Sequence, residues 1–400
     1  NFSFDIGAGE AHLITGLRYE NTTVDSRALT LIPDGTAWVA ANEFNLSYSP
    51  DRDFSRIKGS YDFWLPNIDF DIEPIQDVVL RASYSNTIAR PTYDNLQGGR
   101  TFDALFRQDG GTGAQGNPSL LPYKSENFDV SAEWYYDTAS YLSVGYFRKN
   151  VKNFIGVGGI QVQIPGIYQP YSGTRADAAR AALGQNAPIG QIRDYIFNNF
   201  PGSVVVQDAN GDGNPDLDTN GNIIGRILGI ASDPLLTFDV SLPVNSNDTA
   251  TLDGWEFALQ HNFWDTGFGA ILNYTIVNGD AKFDNSQPYN VTQFALVGLS
   301  DSANAVLFYD KGPLQARVAW NWRDEFLAGY SQNPTNPFYR DEYWQIDASA
   351  SYEFDLGLTV FVEGINLTGE NLKGFRRSKD TTFFAFRGAP RYAAGVRFSF

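Results

Sequence analysis

One short segment of the chain has the residue types and the spacing of a calcium-binding loop. Counting from Asp208, side-chain oxygens recur at the first, third and fifth positions, Gly213 stands at the sixth and an acid at the ninth. Carboxylate and amide oxygens are the hard ligands that Ca²⁺ prefers, and the glycine allows the sharp turn of such a loop. The candidate calcium ligands are Asp208, Asn210, Asp212, Asn214, Asp216 and Asp218.

The same segment departs from the calcium-loop pattern at its twelfth position. Thr219 stands there in place of the usual bidentate glutamate, and Asp218 could substitute for it. A solvated turn is the alternative interpretation, because Asp, Gly and Asn favour tight turns without any metal. The sequence therefore predicts Ca²⁺ as a ligand of this loop and leaves a plain turn open.

The sequence gives little support for a catalytic site. The only histidines are His12 and His261, and neither has a recognisable serine or carboxylate motif beside it. The acidic pairs at 324–325 and 341–342 lie beside predicted strand ends, where solvated charges are more common than a catalytic acid and base. We therefore predict that the protein is not an enzyme and has no catalytic cofactor.

Composition narrows the class of protein further. The 400 residues contain no cysteine, which excludes a disulfide framework and a thiolate metal site. The net charge is −17, so no basic stripe is available to bind nucleic acid, and nucleic acid is not expected as a partner. Aromatic residues make up 15% of the chain and glycines number 38, which favours extended structure with many turns.

Several segments alternate between apolar and polar residues with the period of two that is typical of strands. At the C-terminus, Arg391, Gly395, Arg397 and Ser399 oppose an apolar, aromatic face. The segments 314–323 and 344–354 repeat this pattern, and runs of about 10 residues suit a tilted strand that crosses a bilayer. No stretch approaches the roughly 18 apolar residues of a transmembrane helix, so only a closed barrel could place this chain in a membrane. The C-terminal apolar face consists of Tyr392, Ala394, Val396, Phe398 and Phe400.

Loop lengths indicate the type of barrel. About twelve strands are predicted, joined by connections that are alternately short and long, as in outer-membrane barrels with short periplasmic turns. A soluble sandwich or propeller is the alternative, but it has no reason to sort its loops in this way. We therefore predict an all-β fold, a transmembrane antiparallel β-barrel with long extracellular loops. The predicted strands span residues 10–21, 60–72, 77–90, 123–136, 140–152, 251–264, 268–279, 302–309, 314–323, 343–354, 358–367 and 389–400.

The longest connection, residues 153–250, is predicted to be a large extracellular loop insertion with a fold of its own. Residues 174–183 have the pattern of a short helix, with Thr174 as N-cap and Asp177 at the third helical position, and residues 191–200 are predicted as a second helix. This insertion would gate the pore or contact a ligand. The alternative is a loop that only shields the barrel.

Charged residues within the predicted strands indicate a polar lumen wall that meets water or a plug. Because side chains alternate along a strand, these charges are expected opposite the apolar face. They are Arg81, Glu133, Glu256, Arg317, Asp347, Glu353, Glu363 and Arg397.

Two segments resemble a known family. Residues 79–93, Val-Leu-Arg-Ala-Ser-Tyr-Ser-Asn-Thr-Ile-Ala-Arg-Pro-Thr-Tyr, are followed by residues 116–136, which begin Gly-Asn-Pro-Ser-Leu-Leu-Pro-Tyr. Together they are similar to the arginine-proline strand and the following Gly-Asn-Pro segment of TonB-dependent receptors, the active outer-membrane transporters of Gram-negative bacteria. Weaker matches at 16–20 and 360–368 extend the resemblance along nearly the whole chain.

The resemblance implies that residues 1–400 are the C-terminal part of a barrel of about 22 strands. The rest of the barrel, the plug domain and the TonB box that binds the energy-transducing TonB complex of the inner membrane are then expected to precede this chain. These strands alone would leave an open barrel. Outer-membrane lipid and the barrel assembly machinery are the other expected partners, with Val396, Phe398 and Phe400 as the assembly signal or, alternatively, as simple lipid anchors.

The function that the resemblance implies is the uptake of a scarce nutrient, a carbohydrate or an iron complex, across the outer membrane. Loop aromatics could stack on such a ligand or could equally pack the loops. A passive porin-like stand-alone barrel is the first alternative function, and an outer-membrane hydrolase is a weaker one. The candidate ligand-binding residues are Tyr168, Tyr171, Tyr330 and Tyr339.

Overall fold

The structure is a computed structural model that describes residues 2–5, 9–219, 221, 223–289, 291, 293–330, 336–355 and 357–398. Within these ranges, no helix is long and apolar enough to cross a membrane. The helices are α1 (Tyr93–Leu96), α2 (Thr174–Leu183) and α3 (Ile189–Asn199). The strands are β1 (Phe2–Asp5), β2 (Glu10–Ala40), β3 (Glu43–Ile75), β4 (Val78–Ala89), β5 (Arg100–Phe102), β6 (Leu105–Phe106), β7 (Gly111–Gln115), β8 (Tyr123–Asp137), β9 (Ser140–Lys152), β10 (Ile155–Tyr168), β11 (Val204–Val206), β12 (Gly225–Leu228), β13 (Leu235–Asn245), β14 (Ala250–Asn262), β15 (Phe268–Gly279), β16 (Ser302–Lys311), β17 (Leu314–Arg323), β18 (Phe326–Tyr330), β19 (Pro337–Arg340), β20 (Tyr343–Phe354), β21 (Leu358–Ile365), β22 (Leu372–Arg376), β23 (Thr382–Phe386) and β24 (Arg391–Phe398).

One large antiparallel sheet, here called the wall, forms the body of the protein. Its strands follow one another in chain order along the path β2-β3-β4-β8-β9-β14-β15-β16-β17-β20-β21-β24. Each strand predicted from the sequence overlaps one of these strands. Among the described residues, no pairing joins β24 to β1 or β2, so the pairings of the wall trace an open path. Closure of the barrel and its total strand number stay predictions.

Two neighbouring rows of the wall show how one sequence faces two solvents. Asn273, Asn304, Asn321 and Gln345 stand opposite one another on the four successive strands from β15 to β20. The neighbouring row, one residue away on each strand, is apolar and consists of Leu272, Ala305, Trp320 and Ile346. Leu272 is 44% exposed on this face, as expected where lipid rather than protein covers the side chain. The apolar face is therefore the lipid side and the polar face the lumen side.

Apart from the turn at residues 41–42, the short connections of the wall lie at one end. They comprise residues 76–77, 138–139, 263–267, 312–313 and 355–357. Gly312 has a φ of +61°, the left-handed conformation that a two-residue turn between strands requires. The long connections leave from the opposite end, which is the extracellular end of such barrels.

The predicted limits of the first two wall strands were wrong. β2 and β3 were expected at 10–21 and 60–72, but their pairing continues to Ala40 and Glu43, so a long hairpin projects beyond the wall. Its inner side is tied to the neighbouring loop, because the amide of Gly98 donates to Oγ of Ser26 at 2.7 Å. The apolar alternation ends near residue 21 because outward side chains beyond it leave the lipid, whereas backbone pairing continues in water.

A buried hydrophobic core lies outside the wall, in a unit here called the cap. The cap combines the hairpin tip, residues 100–115 and residues 155–245. It contains the second sheet of the protein, which has the order β10-β13-β7-β5, with β7 parallel to β13. Trp38 and Phe44 are 0% exposed, and their ring centroids stack 5.0 Å apart. The core residues are Trp38, Phe44, Leu46, Phe106, Ile167, Ala176, Ala179, Ile192, Ile196, Ile227, Leu236, Phe238 and Val240.

The two helices predicted in this insertion are present. α2 covers the predicted residues 174–183, and α3 begins two residues before the predicted start. The predicted N-cap was wrong, because Gly173 holds that position and Thr174 is the first helical residue. Gly173 has a φ of +86°, and a Cβ there would lie 2.7 Å from Cδ of Pro234, so close packing against residue 234 requires a glycine.

A buried ion pair joins three segments of the cap. The Arg175 guanidinium pairs with the Asp233 carboxylate, and their side chains are only 3% and 0% exposed. The same guanidinium donates to Oγ of Ser203 and to the carbonyl oxygen of Leu228. Asp233 also accepts the backbone amide of Ile230 at 3.0 Å. Both buried charges are thus surrounded by hydrogen-bonding partners, which is the condition for a tolerable buried pair.

A third sheet, here called the mouth sheet, stands at the same extracellular end and has the order β18-β19-β22-β23. It is built from the connections on either side of β20 and β21. The sequence pattern had not predicted it, because each of its strands is only four or five residues long.

From the two faces of the wall, we predict that two adjacent positions differ in their tolerance of a charged side chain. Leu272→Arg places a charge on the lipid face and should lower the free energy of unfolding by about 2–4 kcal/mol, the cost of such a residue near the bilayer midplane. Asn273→Arg, the matched control, points into the lumen and should change it little. Denaturant titration of the full-length protein in lipid vesicles measures both. An equal loss in the two variants would contradict the assignment of faces.

From the buried ion pair, we predict that Arg175→Ala strongly destabilises the cap. The change leaves Asp233 buried without its partner, which costs about 3–5 kcal/mol. Hydrogen exchange should then show α2 and β12 opening far more readily, with the wall strands unchanged. Arg226→Ala, which removes an exposed arginine from the same unit, is the control. Unchanged protection of α2 in the Arg175 variant would refute the role of the pair.

Candidate ligand site

The inner face of the wall carries the charges that the sequence assigned to the lumen. Arg81, Ser131, Gly145 and Glu256 form one row across four strands, and Nε of Arg81 lies 3.1 Å from Oε1 of Glu133. These residues border a hollow of about 410 Å³. Further along the same inner face, a hollow of about 630 Å³ is lined by Arg317, Glu353, Glu363 and Arg397. Asp347 borders a third hollow with Arg317.

Two of the four candidate tyrosines come together in the mouth sheet. Tyr330 and Tyr339 lie on the paired strands β18 and β19. The ring of Tyr339 stacks on Phe375 with centroids 5.1 Å apart and an interplanar angle of 7°. Its hydroxyl is 3.0 Å from Nδ2 of Asn285 in the neighbouring loop. Tyr339 and Asn285 help to line a cleft of about 480 Å³.

Tyr330 closes the other side of this aromatic group. Its ring lies 6.0 Å from that of Phe283, and the guanidinium of Arg377 lies 5.3 Å from the same Phe283 ring. Its hydroxyl is enclosed and has no hydrogen-bond partner among the described residues. Burial raises the pKa of both Tyr330 and Tyr339, so both hydroxyls stay protonated and can donate a hydrogen bond.

The other two candidate tyrosines lie in the cap. Tyr171 packs edge-on against Trp38 at 5.6 Å, and the guanidinium of Arg180 covers its ring at 4.9 Å. The backbone carbonyl of Tyr168 accepts the hydroxyl of Thr36 and so ties β10 to the long hairpin. The structure thus separates the four tyrosines into one pair at the mouth sheet and one pair in the cap.

Backbone amides occupy much of the carboxylate surface in the predicted calcium loop. The Asp208 carboxylate accepts the amides of Gly211 and Gly213 at 2.8 and 2.9 Å. Oδ2 of Asp216 accepts the amide of Ala209 at 2.9 Å. The backbone amide of Asn214 lowers the pKa of Asp212. Among the described residues, no group of three or more His, Cys, Asp or Glu side chains is arranged to hold a metal ion.

Both histidines have partners other than serine. Nδ1 of His12 lies 2.8 Å from Oδ2 of Asp71 on the lumen side, and Nδ1 of His261 lies 3.0 Å from the hydroxyl of Tyr136 near the short turns. Within the part of the chain that the structure describes, no hydrogen bond joins a serine to either ring. The geometry therefore assembles no Ser-His-Asp triad in those residues.

The predicted assembly signal lies on the lipid side of the last strand. Val396 and Phe398 are 67% and 56% exposed on the outward face of β24. Phe400 lies outside the described residues. The exposed pair is continuous with the apolar face of β21, because Val360 stands opposite Val396.

The sequence interpretation missed a group of cations at the mouth sheet. The Arg376 guanidinium lies 4.2 Å from the ring centroid of Phe383, and Nζ of Lys379 lies 5.9 Å from that of Phe375. Lys379 also pairs with Glu325 at 2.5 Å, which raises the pKa of the lysine. The clustering of Phe, Arg and Lys within residues 375–387 was the signal that could have indicated these contacts.

A family model described as TonB dependent receptor-like, beta-barrel, matches residues 1–367. No curated protein matches the chain. Among solved structures, the ferric enterobactin receptor PfeA of Pseudomonas aeruginosa is similar over 99% of this chain and 52% of its own, with a TM-score of 0.53 and 13% identity. The siderophore receptor PirA of Acinetobacter baumannii is similar over 100% of this chain and 61% of its own, with a TM-score of 0.51 and 13% identity.

At such identities the solved structures show the shared fold, and this chain spans only between about half and three fifths of their length. The family model covers most of the chain and confirms the resemblance seen in the sequence. The chain therefore belongs to the TonB-dependent receptor-like β-barrel family, whose members are outer-membrane proteins of Gram-negative bacteria.

Proposed function

We propose that this chain is the C-terminal part of a transporter that takes up a scarce nutrient, a carbohydrate or an iron complex, across the outer membrane. The family match carries the proposal. The polar inner face of the wall supports it, because a solute that crosses the membrane needs a path lined by water-compatible side chains. No observation on the described residues favours the porin or the hydrolase, and the matched family is one of receptors rather than enzymes.

The mouth sheet is the proposed place of first ligand contact. Tyr339 offers a partly buried ring and a protonated hydroxyl in the lining of an open cleft, and Tyr330 lies on the strand paired with it. Aromatic faces stack on sugar rings and on the planar groups of iron chelates alike. The enclosed hydroxyl of Tyr330 supports this role, because a buried donor without a partner is costly unless a ligand or water accepts its hydrogen bond.

Energy is proposed to come from the inner-membrane TonB complex through a plug domain and TonB box encoded outside this chain. Val396, Phe398 and Phe400 are the proposed signal to the barrel assembly machinery. The family match supports the first partner directly, since its members depend on TonB. The position of β24 supports the second, because it ends the path of wall pairings among the described residues and an unpaired strand edge is a template for pairing.

Ca²⁺ is proposed as a structural ligand of the loop at 208–218, in the extracellular cap. The spacing of its oxygens supports the proposal. The lowered pKa of Asp212 also suits a cation site, because that carboxylate stays charged to a lower pH than an ordinary aspartate.

The transport proposal predicts a specific loss of uptake. A strain that lacks the full-length gene should stop accumulating one labelled ferric siderophore or oligosaccharide from a panel of both classes. Complementation with Tyr330→Ala or Tyr339→Ala should leave uptake about 2- to 10-fold lower, because a stacked ring contributes about 0.5–1.5 kcal/mol. Tyr93→Ala, which alters a ring that is 92% exposed, should restore uptake fully. Normal uptake of every probe by the deletion strain would refute the proposal.

The calcium proposal predicts heat on titration of the full-length protein with CaCl₂ at neutral pH. Asp212→Ala should abolish that heat. Because the pKa of Asp212 is lowered, this carboxylate stays charged as the pH falls toward the ordinary aspartate range, so it should not be the ligand that limits binding there. No heat from the native protein, or the same heat from the variant, leaves a plain turn as the correct interpretation.

A further inference from the structure

The same tripeptide, Arg-Asp-Glu, occurs twice at the extracellular end of the protein. Arg323 begins the first copy and is the last residue of β17, and Arg340 begins the second copy and is the last residue of β19. Arg323 lies on the lumen side of the wall, because it is two residues beyond Asn321 on the same strand. Each arginine is thus followed in the chain by two acids, which are the usual partners of a guanidinium group.

The acids near Arg323 are bound to other groups. Oδ1 of Asp324 accepts the backbone amide of Glu325 at 2.8 Å, and the Glu325 carboxylate pairs with Lys379 at 2.5 Å. Asp301 lines the neighbouring cleft with them, and its Oδ1 accepts a backbone amide of β15 at 2.9 Å. The carboxylates that could neutralise Arg323 are therefore engaged elsewhere.

The second copy of the tripeptide repeats this arrangement. Oδ1 of Asp341 accepts the backbone amide of Glu342 at 3.1 Å, and Oε1 of Glu342 accepts Nε1–H of Trp322 at 2.6 Å. Among the residues that the structure describes, no carboxylate lies within 4.0 Å of the guanidinium of Arg323 or Arg340. Two positive charges thus stay without a negative partner in a chain whose net charge is −17.

The two arginines lie on either side of one aromatic residue. The guanidinium of Arg323 is 4.3 Å from the ring centroid of Phe326, and Phe326 stands opposite Arg340 on the paired strands β18 and β19. Both arginines are half-buried, and their positive charges repel each other. Half-burial also removes part of the water that would otherwise stabilise each charge. An anion that binds both guanidinium groups would reduce both costs.

This pair of arginines adjoins the cleft proposed for ligand contact. Phe326 and Tyr339 help to line that cleft, and Tyr339 directly precedes Arg340 on β19. The enclosed hydroxyl of Tyr330, without a partner among the described residues, is on the strand paired with β19. Guanidinium groups and hydroxyl donors together suit an anion that carries several oxygen atoms.

The other cations of the mouth sheet also lie over aromatic rings. A ring face holds a cation in place while the N–H groups at its edge stay available to a ligand. Phe386, at the end of the outermost strand of this sheet, is 64% exposed and adds a free apolar surface. Positive and aromatic groups therefore recur together across the sheet. The further pairs are Arg340 with Phe384, Arg376 with Phe383, Arg377 with Phe283 and Lys379 with Phe375.

We propose that the mouth sheet binds an acidic oligosaccharide, with the carboxylate of one sugar unit held by Arg323 and Arg340 and sugar rings on the exposed aromatic side chains. A uronic acid unit has an apolar face of C–H groups and a carboxylate on the same ring, which matches an aromatic ring with a guanidinium beside it. Repetition of this arrangement suits a ligand whose acidic units repeat, whereas a compact iron chelate has a single centre. The inference rests on the proposed uptake function and selects its class of ligand.

Calorimetric titration of the purified full-length protein in detergent tests the proposal. The probes are hexamers of galacturonic, mannuronic and glucuronic acid, each compared with its fully methyl-esterified form, which has the same backbone without the charge. At least one acidic hexamer should bind. Its ester should bind about 100-fold more weakly, because each charge-assisted hydrogen bond to an arginine contributes about a factor of ten.

Paired variants locate the binding. Arg323→Gln/Arg340→Gln should weaken binding of the acidic hexamer about 100-fold and leave binding of the ester unchanged. Arg226→Gln/Lys311→Gln, an equal change of charge at exposed positions away from the mouth sheet, should bind the hexamer normally. Without ligand, the Arg323/Arg340 variant should melt at the same or a higher temperature, because it loses two charges that repel each other. A lower melting temperature would show that the arginines are structural and would overturn the proposal.

Further outcomes that contradict the proposal are equally definite. No binding of any acidic hexamer, equal binding of a hexamer and its ester, or an equal loss in both variants would each overturn it. Ferric citrate, a compact carboxylate complex, should not compete with the hexamer, and competition that depends on the two arginines would overturn the choice of an oligosaccharide. The transport proposal would survive each of these results, because the uptake assay on the deletion strain tests it separately.

Discussion

Every backbone amide and carbonyl that enters the hydrocarbon of a membrane must find its partner within the protein, and the wall satisfies this requirement by strand pairing. Each wall strand is paired antiparallel to its neighbours in chain order. Because successive side chains of a strand point to opposite faces, they alternate between lipid and lumen. Leu272 therefore faces the lipid and Asn273 faces the lumen. The polar lumen and the apolar outer surface are two consequences of this one constraint.

Because the apolar side chains of the wall face lipid, the buried hydrophobic core of the protein lies elsewhere. It is in the cap, where Trp38, Phe44 and the helices exclude water from one another. The cap therefore folds by the hydrophobic effect, whereas the wall depends on its solvent and on strand pairing. The buried Arg175–Asp233 pair belongs to this water-excluded unit. Removal of one partner would leave the other as an isolated buried charge, which is strongly destabilising.

The extracellular groups are positioned by the connections between wall strands and by the extension of β2 and β3. The mouth sheet holds Tyr339 against Phe375, and the hydroxyl of Tyr339 meets the neighbouring loop at Asn285. On the outward side of the long hairpin, continued pairing of β2 with β3 presents Arg27 opposite Arg56. The hairpin thus extends two strands of the wall, whereas the mouth sheet is built from separate short strands in the connections.

The sequence by itself determined the features that depend on neighbours along the chain: the period-two faces, the short turns, the helix at 174–183 and the lumen charges such as Arg81 and Glu256. Only the tertiary structure decided the features that join distant segments. These include the parallel pairing of β7 with β13, the burial of Arg175 on Asp233, and the separation of Tyr171 in the cap from Tyr339 at the mouth. The physical reason is that the alternation of apolar and polar residues reports the solvent on each side of a strand. Pairing partners that are far apart in the sequence leave no local pattern. Outside the lipid, the alternation itself becomes weaker.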